Sequence, residues 1–380
     1  MSDKMTPEIR FKGFSDDWEQ RKLGDILKVN SGRDYKHLHS GNIPVYGTGG
    51  YMLSVDDKLS QQDGIGIGRK GTIDRPQYLS APFWTVDTLF YLTPLNNHKL
   101  NFIQQITYII NWKKYSEQTG VPSLSKNSIE KIDINVPEIT EQTKIGELLR
   151  TLDTTIALHQ FKIKKIQKIK QGLLHVITPK RGQLIPFLRF TNFSSSWEQR
   201  QLDSTGEIIT GSTPSTLKSE NYSTNGSPWV TPTDIISKTT INTAKKLSKV
   251  GESASRMVPA NTILVTSIAS IGKNTMLLVP GSFNQQINGI VPDNNNDSYF
   301  LLTMSELWSR TMKSFASSGI MQIVNKSEFS KMKFPFPDTK EEQMKIGYLF
   351  RQLDNTIALH QTKIKKLQQI KKAYLQKMFI

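Results

Sequence analysis

The feature that most constrains this chain is an internal duplication. Two blocks of 35 residues, beginning at Glu141 and at Glu342, are identical at 23 positions and lie 201 residues apart. A shorter repeat has an offset of 179 residues: Arg10-Phe11 and Trp18-Glu19-Gln20-Arg21 recur as Arg189-Phe190 and Trp197-Glu198-Gln199-Arg200. Identity of this extent does not arise by chance, so the chain holds two copies of one module.

Between the repeated blocks the two halves differ in both length and sequence. One partial exception is the segment IEKIDINVP, ending at Pro137, which is similar to FSKMKFPFP, ending at Pro337. A duplication kept only for packing gives no reason for the interiors to diverge while the edges stay the same. We therefore expect two domains that do the same job on different targets.

Each long repeated block has the spacing of a coiled-coil helix. Mostly apolar residues recur at alternating steps of four and three, without proline and with little glycine. The first seam is Ile145, Leu149, Leu152, Ile156, His159, Ile163, Ile166, Lys170, Leu173 and Ile177, and the second is Ile346, Phe350, Leu353, Ile357, His360, Ile364, Leu367, Lys371, Tyr374 and Met378. Each helix is expected to run about 36 residues, or roughly 54 Å.

The path of the chain predicts how these helices pair. A short connection returns the second helix antiparallel to the first, with one domain at each end of a rod and a pseudo-twofold axis between them. The rod matches about 16 base pairs of duplex. His159 and His360 occupy matched seam positions, where a polar pair that sets the register is favoured over a metal or pH-sensing role. Lysines outside the seam either contact phosphate, solvate the rod or dock another subunit.

The segments outside the helices predict β-rich domains. Short apolar runs such as 88–92 and 262–268 lie between turns rich in glycine, asparagine and proline, while 102–115 and 299–315 have helical periodicity. The expected fold class is α+β, with two mixed β-rich domains separated by a long antiparallel two-helix coiled coil. The predicted division is a first domain over 1–140, a central helical region over 141–180, a second domain over 181–340 and a C-terminal helical region over 341–380.

The charge of the chain indicates a polyanionic partner. It carries 49 lysine and arginine residues against 33 aspartate and glutamate residues, a formal net charge of +16. Nucleic acid fits this charge, while an anionic membrane surface or an acidic protein stays open. The sequence has no cysteine, no signal peptide at its start and no apolar run of membrane-spanning length. These features lead us to expect a cytoplasmic protein.

Basic and polar loops supply the candidate DNA contacts. A glycine-flanked basic turn follows an apolar strand in each half, at 66–72 and at 270–273. The first formally matches a dinucleotide-binding fingerprint but opens no helix, so a hairpin near a phosphate or base edge, or an ordinary surface turn, fits better. Other loops carry groups able to reach base edges. The candidates are Arg33, Tyr46, Thr48, Arg69, Lys70, Arg75, Lys113, Lys114, Gln118, Ser212, Thr213, Lys218, Trp229, Thr231, Thr233, Lys273, Gln285, Gln286 and Asn288.

Motifs for catalysis are missing from the sequence. It has no Asn-Pro-Pro-Tyr-type tetrad for amino-methyl transfer, no Walker A loop, no Pro-Asp…Glu-x-Lys nuclease pattern and no His/Cys metal cluster. Serine, histidine and aspartate occur, but no pattern arranges them as a triad. We expect no catalytic residue and no metal site in this chain. Trp18 and Trp197, which open the two domains, are expected to be core anchors.

Together these features resemble the specificity subunits of type I restriction–modification systems over essentially the whole chain. The marks are the R-F…W-E-Q-R opening and the E-Q-x-K-I-G-x-L…L-D…T-I-A-L-H-Q helix, each present twice, and two dissimilar domains. The resemblance implies that each domain is a target recognition domain reading one half of a bipartite DNA sequence. It also implies that the helices over 141–177 and 342–378 separate these domains and bind partner subunits. No base-reading residue carries over, because recognition domains differ so much between members.

The resemblance further implies partners and cofactors. Two methylation subunits would carry S-adenosylmethionine and methylate adenine, and two restriction subunits would complete an ATP- and Mg-dependent nuclease on double-stranded DNA. This chain itself would hold no cofactor and contact no membrane. Two rivals stay open: the specificity part of a system without a restriction subunit or a lone half-site decoy, and a coiled-coil adaptor with two carbohydrate- or protein-binding modules. Salt separates the adaptor from a DNA reader, because DNA affinity falls steeply with salt concentration.

Overall fold

A computed structural model describes residues 6–118, 120–180, 182–317 and 323–380. Its contacts divide the chain into two compact units: unit 1 consists of 1–161 and 361–380, and unit 2 consists of 162–360. Both units contain runs of consecutive strands followed by helices, which confirms the mixed α+β class. The predicted division into domains and helical regions runs along the chain, whereas these units follow contacts, so that division stays a prediction.

Unit 1 is built around a four-stranded antiparallel sheet in the order β2-β8-β5-β6, beside a three-stranded sheet β4-β3-β7 and a β1-β9 pair. The strands are β1 Glu19–Lys22, β2 Leu27–Ser31, β3 Ser40–Gly47, β4 Gly50–Val55, β5 Gly64–Gly68, β6 Gln77–Leu79, β7 Trp84–Thr85, β8 Leu89–Pro94 and β9 Asp133–Val136. The helices that begin here are α1 Leu23–Ile26, α2 Leu100–Ile109, α3 Lys126–Glu130 and α4 Ile139–Ile177, with a 3-10 turn at Trp112–Tyr115.

Unit 2 has a five-stranded sheet in the order β11-β19-β16-β17-β14, a four-stranded sheet β12-β15-β13-β18 and a β10-β20 pair. The strands are β10 Glu198–Gln201, β11 Gly206–Thr210, β12 Tyr222–Ser223, β13 Ser227–Val230, β14 Thr239–Thr240, β15 Lys246–Leu247, β16 Thr262–Thr266, β17 Asn274–Leu277, β18 Ser282–Phe283, β19 Ile287–Pro292 and β20 Lys333–Phe336. The helices that begin here are α5 Lys249–Ser253, α6 Ser298–Ser317, α7 Lys326–Lys331 and α8 Lys340–Lys377, with 3-10 turns at Leu202–Thr205 and Ser219–Asn221.

The central sheet of unit 1 recurs in unit 2 with the same strand order and the same register. Gly66 of β5 faces Gln77 and Tyr91, and Leu264 of β16 faces Thr275 and Gly289. Each of these three positions differs from its counterpart by 198 residues, since 264 − 66, 275 − 77 and 289 − 91 all give 198. The two divergent interiors therefore contain separate sheets with the same strand arrangement.

A repeated tryptophan anchors the core of each unit. Trp18 is 2% exposed and meets Phe102 of α2 edge-on, with ring centroids 5.9 Å apart. Trp197 is 1% exposed and meets Phe300 of α6 in the same way at 6.1 Å. Burying two such aromatic pairs removes large apolar surfaces from water. The prediction that Trp18 and Trp197 are core anchors is confirmed.

The two repeated motifs contact each other inside each unit. In unit 1 the guanidinium of Arg10 donates two hydrogen bonds of 2.8 Å to the carboxylate of Glu141, which is fully buried. In unit 2 Arg189 makes the same two 2.8 Å bonds to Glu342. Removing either partner would leave a charge buried without compensation, which is costly. The pairing explains why both motifs are kept in both copies.

The long helices α4 and α8 contain the two predicted seams. In α4 the structure describes every residue over 157–169, and the side chains there that are at least partly buried are His159, Ile163 and Ile166. In α8 the corresponding side chains over 358–369 are His360, Ile364 and Leu367. This burial has the predicted heptad period. The pairing of α4 and α8 as an antiparallel coiled coil stays a prediction.

Two shorter helical predictions have different outcomes. The helix predicted over 299–315 is confirmed, because α6 includes all of these residues. The helix predicted over 102–115 is wrong in its second half, because α2 ends at Ile109 and Ile110 is extended. The Trp112 side chain is buried, and its Nε1 donates to the carbonyl of Thr107 at 2.8 Å. That side chain–backbone bond replaces continued helix.

Candidate nucleic-acid interface

In unit 1 a short segment joins three of the loops predicted to contact DNA. This hub segment, residues 85–88, runs from the end of β7 to the start of β8. Three backbone hydrogen bonds join it to the neighbouring loops. They are Arg33 N to Thr85 O (2.9 Å), Val86 N to Tyr46 O (3.0 Å) and Arg69 N to Thr88 O (2.8 Å). The structure therefore brings three predicted residues, Arg33, Tyr46 and Arg69, to one place.

An open cleft of about 630 Å³ adjoins this hub segment. Its lining consists of Asp34, Tyr35, Lys36, residues 47–52 and residues 86–88. The predicted residue Thr48 lies in it, beside Tyr51 and Met52, whose side chains are 63% and 49% exposed. Exposed aromatic and thioether groups beside hydroxyl and charged groups suit contact with bases better than an internal packing role.

Unit 2 holds an equivalent hub segment, 283–286, with the same backbone contacts. They are Ser212 N to Phe283 O (2.8 Å), Asn284 N to Val230 O (2.9 Å) and Ser267 N to Gln286 O (2.8 Å). A glycine precedes the first contact in both units, because a Cβ on Gly32 would lie 2.0 Å from the Val86 carbonyl and one on Gly211 would lie 2.3 Å from the Asn284 carbonyl. The backbone frame is thus the same in both units.

The side chains on this frame differ between the units. Arg33 is replaced by Ser212, and Arg69 by Ser267, which is buried. Unit 2 regains positive charge from Arg256, a residue that sequence reasoning missed. Its guanidinium donates to the carbonyl of Thr210 at 2.7 Å, and its own backbone N–H donates to the Ser212 hydroxyl at 2.9 Å. No sequence repeat marks Arg256, so only the fold could reveal it.

The two basic turns are hairpin connections, as one of the sequence interpretations expected. Arg69, Lys70 and Arg75 lie between β5 and β6, and Lys273 lies between β16 and β17. All four are exposed. The register makes Lys273 the counterpart of Arg75, because Arg75 lies two residues before Gln77 and Lys273 lies two residues before the equivalent Thr275. The two basic turns thus belong to the same hairpin connection, but Lys273 does not stand at the position of Arg69 or Lys70.

Lys113 lies beside the hairpin of unit 1, whereas other predicted residues are more isolated. The Lys113 ammonium is 3.1 Å from the Asp74 carboxylate, and this hydrogen bond lowers the pKa of Asp74. Lys114 and Gln118 are exposed in the 3-10 turn and the loop after it. Lys218 is exposed before the first 3-10 turn that follows β11.

Several predicted residues of unit 2 hold loops in place. Trp229 is only 5% exposed and donates from Nε1 to the Ser212 carbonyl at 3.0 Å. Asn288 is 1% exposed; it accepts from Thr210 at 2.9 Å and donates to the Val324 carbonyl at 3.1 Å. The structure gives these two side chains supporting positions, and their contact with DNA stays a prediction.

The remaining predicted residues of unit 2 are more accessible. Thr231 donates to the Asp234 carboxylate at 2.6 Å and lies 2.8 Å from the hydroxyl of Thr233. Gln285 is exposed and accepts from the exposed hydroxyl of Thr213. The amide oxygen of Gln286 accepts from Asn284 at 3.1 Å. These groups form a hydroxyl- and amide-rich surface around the second hub segment.

Neither a metal site nor a membrane span is found in the described ranges. No group of histidine, aspartate and glutamate side chains among those residues is arranged to hold a metal ion. None of the described helices has the length and apolar character needed to cross a lipid bilayer.

Comparison with known proteins places the chain in a family. The family model described as the type I restriction modification DNA specificity domain matches it twice, over residues 15–168 and 194–369. The chain is 33% identical to the specificity subunit of the type I restriction enzyme HindI of Haemophilus influenzae over 397 aligned residues, covering 87% of this chain and 79% of that protein. It is 31% identical to the MjaIX specificity subunit of Methanocaldococcus jannaschii over 170 residues, covering 42% of this chain and 38% of that protein.

The fold leads to the same family. The crystal structure of the S subunit of a type I restriction-modification system from M. genitalium covers 99% of both chains with a TM-score of 0.76, at 14% sequence identity. At that identity the likeness speaks for the fold alone, and the two matched domains speak for the role. With two specificity domains covering most of its length, the chain belongs to the DNA specificity subunits of type I restriction-modification systems.

Proposed function

We propose that this specificity subunit reads a bipartite target in double-stranded DNA, with one domain for each half-site. The observation that carries the proposal is the repeated hub segment, in which one set of backbone hydrogen bonds presents different side chains in the two units. Phosphate contacts position a protein on DNA, whereas base-edge contacts specify sequence. A constant frame with variable exposed groups lets two domains dock alike and read different bases.

Charge supports DNA over the alternative of a carbohydrate- or protein-binding adaptor. Arg33 and Arg69, whose backbones bond to the hub segment of unit 1, are exposed, as are Lys70 and Arg75 in the loop that follows Arg69. Cationic groups of this kind neutralise phosphates and release bound counterions. A sugar-binding module gains nothing from such a surface, and the family membership does not favour the adaptor.

The long helices also suit docking of two like partners. Leu158 of α4 and Leu359 of α8 are identical residues at equivalent repeat positions, and they are 48% and 54% exposed. A single exposed leucine is ordinary on a protein surface, but the same leucine exposed at the same repeat position in both copies suits two like partners. Leu158 and Leu359 therefore suit two methylation subunits, each bound to one copy of the repeated helix.

The chemistry of the complex would reside in those partners. Two methylation subunits would supply S-adenosylmethionine for adenine methylation, and two restriction subunits would supply ATP- and Mg-dependent cleavage. This chain would contribute DNA sequence recognition without a cofactor of its own. It would act in the cytoplasm, where the cellular DNA lies. A system without the restriction subunits would use the same chain for methylation alone.

We propose that α4 and α8 pair antiparallel as the spacer between the half-sites. Two equivalent ion pairs support this: within unit 2 Lys170 lies 2.6 Å from Asp354, and within unit 1 Lys371 lies 2.6 Å from Asp153. The offset of 201 residues relates both lysines and both aspartates. In each helix the repeated lysine thus pairs with the repeated aspartate of the other helix.

Domain exchange tests the proposal directly. Residues 7–140 are replaced by the corresponding domain of another specificity subunit, and methylated adenines are mapped in cells that also produce the methylation subunits. One half of the target should change and the other should stay the same. Deletion of a heptad pair from both helices is the companion variant, and it should alter the gap while preserving both half-sites. A domain exchange that changed both half-sites together would contradict the proposal.

Salt dependence separates DNA reading from the adaptor alternative. The logarithm of the DNA association constant should fall linearly with the logarithm of salt concentration, with a slope close to the number of neutralised phosphates. A flat response between about 50 and 200 mM salt would rule out a phosphate-based interface.

A further inference from the structure

The hub segments present two consecutive side chains at equivalent positions, all of them exposed except the half-buried Gln286. In unit 1 these are Asp87 and Thr88, and in unit 2 they are Gln285 and Gln286. The equivalence follows from the backbone bonds that precede and end each pair, because Val86 corresponds to Asn284 and the carbonyls of Thr88 and Gln286 accept matching bonds. The same step of the frame therefore presents a carboxylate in one unit and an amide in the other.

Among the residues that the structure describes, the Asp87 carboxylate differs from the Asp34 and Asp74 carboxylates in having no hydrogen-bond or ion-pair partner. Within the described part of the chain it makes no hydrogen bond and no ion pair, although it lines the 630 Å³ cleft. By contrast, Asp34 accepts from the Lys36 backbone at 3.4 Å, and Asp74 pairs with Lys113 at 3.1 Å. This exposed carboxylate, in a cleft that Lys36 also lines, gives unit 1 a hydrogen-bond acceptor in its concave surface.

The DNA group that can satisfy this carboxylate is limited. Asp87 would be repelled by phosphate, since both carry negative charge. In the major groove, guanine N7 and O6 and thymine O4 are acceptors, so they offer the carboxylate no proton. Cytosine N4 and adenine N6 are amino donors, and Asp or Glu accepting from cytosine N4 is a known pairing type.

The counterpart in unit 2 has different chemistry. A glutamine amide both donates and accepts, which matches the N6 and N7 groups of adenine. Gln285 is exposed and is contacted by the Thr213 hydroxyl, while Gln286 is contacted by Asn284. The two units thus offer acceptor-only and donor-plus-acceptor groups at one structural position.

We propose that Asp87-Thr88 and Gln285-Gln286 are equivalent base-reading steps of the two domains. Asp87 specifies a base that presents an exocyclic amino group, cytosine foremost, on the strand it faces. The proposal rests on the proposed reading of one half-site by each domain and adds the residue that sets one base of the unit 1 half-site.

The variant Asp87→Asn tests it, because asparagine keeps the size of the side chain and adds a donor. The full chain is assembled with its methylation subunits and used to select bound sequences from a library of randomised duplex DNA. One base pair of the unit 1 half-site should lose discrimination by roughly tenfold or more, the scale of one good base contact. The control is Asp57→Asn, an exposed aspartate of unit 1 whose carboxylate accepts from the Lys58 backbone at 2.7 Å.

A second variant, Asp87→Gln with Thr88→Gln, transfers the glutamine pair into unit 1. It should raise the preference for adenine at the same base pair and leave the unit 2 half-site unchanged. The inference is overturned if both variants select the same half-sites as the parent chain, or if they weaken binding equally to all sequences. A parent complex that selected no sequence at all would instead refute the proposed function, so the two failures are distinguishable.

Discussion

Replacing Lys170 with methionine removes the ammonium group that joins three helices of unit 2. The Nζ of Lys170 in α4 lies 2.8 Å from Glu306 of α6 and 2.6 Å from Asp354 of α8. Its side chain is only 7% exposed. Glu306 has a second cation, Lys238, at 2.7 Å, and Asp354 also accepts from the Tyr299 hydroxyl at 3.1 Å. The substitution therefore removes the lysine with which Asp354 forms its ion pair.

The expected cost follows from burial. Removing one partner of a buried ion pair destabilises a protein by about 3–5 kcal/mol. Because Lys238 still neutralises Glu306, we expect the lower end, about 3 kcal/mol, for Lys170→Met. The equivalent residue in the other copy, Lys371, pairs with one carboxylate, Asp153, whose side chain is 36% exposed. Solvent screens that pair, so Lys371→Met should cost about 1 kcal/mol.

The pair of variants is compared by hydrogen exchange followed with mass spectrometry. Two compact units need not unfold together, so a single unfolding midpoint does not report either one. Amide protection in α6 reports opening of unit 2, and protection in α2 reports opening of unit 1. Lys170→Met should lower protection in α6 by roughly 100-fold, whereas Lys371→Met should lower protection in α2 by about fivefold to tenfold.

Equal losses from the two variants would refute this reasoning, because the equivalent lysines differ in burial and in number of carboxylate partners. An undiminished protection of α6 in Lys170→Met would show that the ion cluster contributes no net stability. Replacement of buried ion pairs by apolar groups is neutral in some proteins, so this outcome is physically accessible. The single replacement used here retains both carboxylates, which is why a loss is expected.

Three further outcomes can be measured. Burial raises the pKa of Glu306, but two nearby ammonium groups and their hydrogen bonds outweigh it and hold the pKa below its usual 4.5. Ionised Glu306 should therefore stabilise unit 2 fully above about pH 4.5, and this stabilisation should be lost as pH falls through the lower pKa of the folded state. Amide exchange in α6, measured against pH, would show the loss. Leu158→Asp or Leu359→Asp alone should reduce the methylation subunits bound from two to one in native mass spectrometry, and loss of both from one substitution would contradict independent docking. Arg69→Ala should weaken DNA binding by about 1–3 kcal/mol if its guanidinium reads a base, and unchanged affinity in a filter-binding titration would remove it from the interface.

The helices and core anchors were accessible from sequence because their signals are local or duplicated. Heptad spacing alone predicts the inward positions of α4 and α8, and duplication marks Trp18 and Trp197. The ion pair between Arg10 and Glu141 is different, since its partners are separated by 131 residues. Both residues belong to repeated motifs. The repetition indicates that each residue matters, but it does not indicate that the two residues pair.

The shared frame of the candidate interface was not accessible in the same way. It consists of backbone hydrogen bonds, which impose little on side-chain identity. In the sequence this frame is marked by Gly32 and Gly211, because a side chain at either position would collide with a carbonyl. Similar letters around Lys273 and Arg69 suggested an equivalence that strand register does not support. Sequence resemblance within divergent loops is thus a weaker guide than register.

Three offsets between the units locate where the modules diverged. Arg33 and Ser212 differ by 179 residues, Gly66 and Leu264 by 198, and the starts of the long repeated blocks by 201. Of the 22 extra residues in unit 2, 198 − 179 = 19 therefore lie between the first hub contact and the β16 strand. That stretch forms the loops and short strands around the hub segment, and the remaining 201 − 198 = 3 residues lie between the sheet and the long repeated block. Length has therefore changed mostly around the hub segments, while the backbone hydrogen bonds that hold these segments are the same in both units.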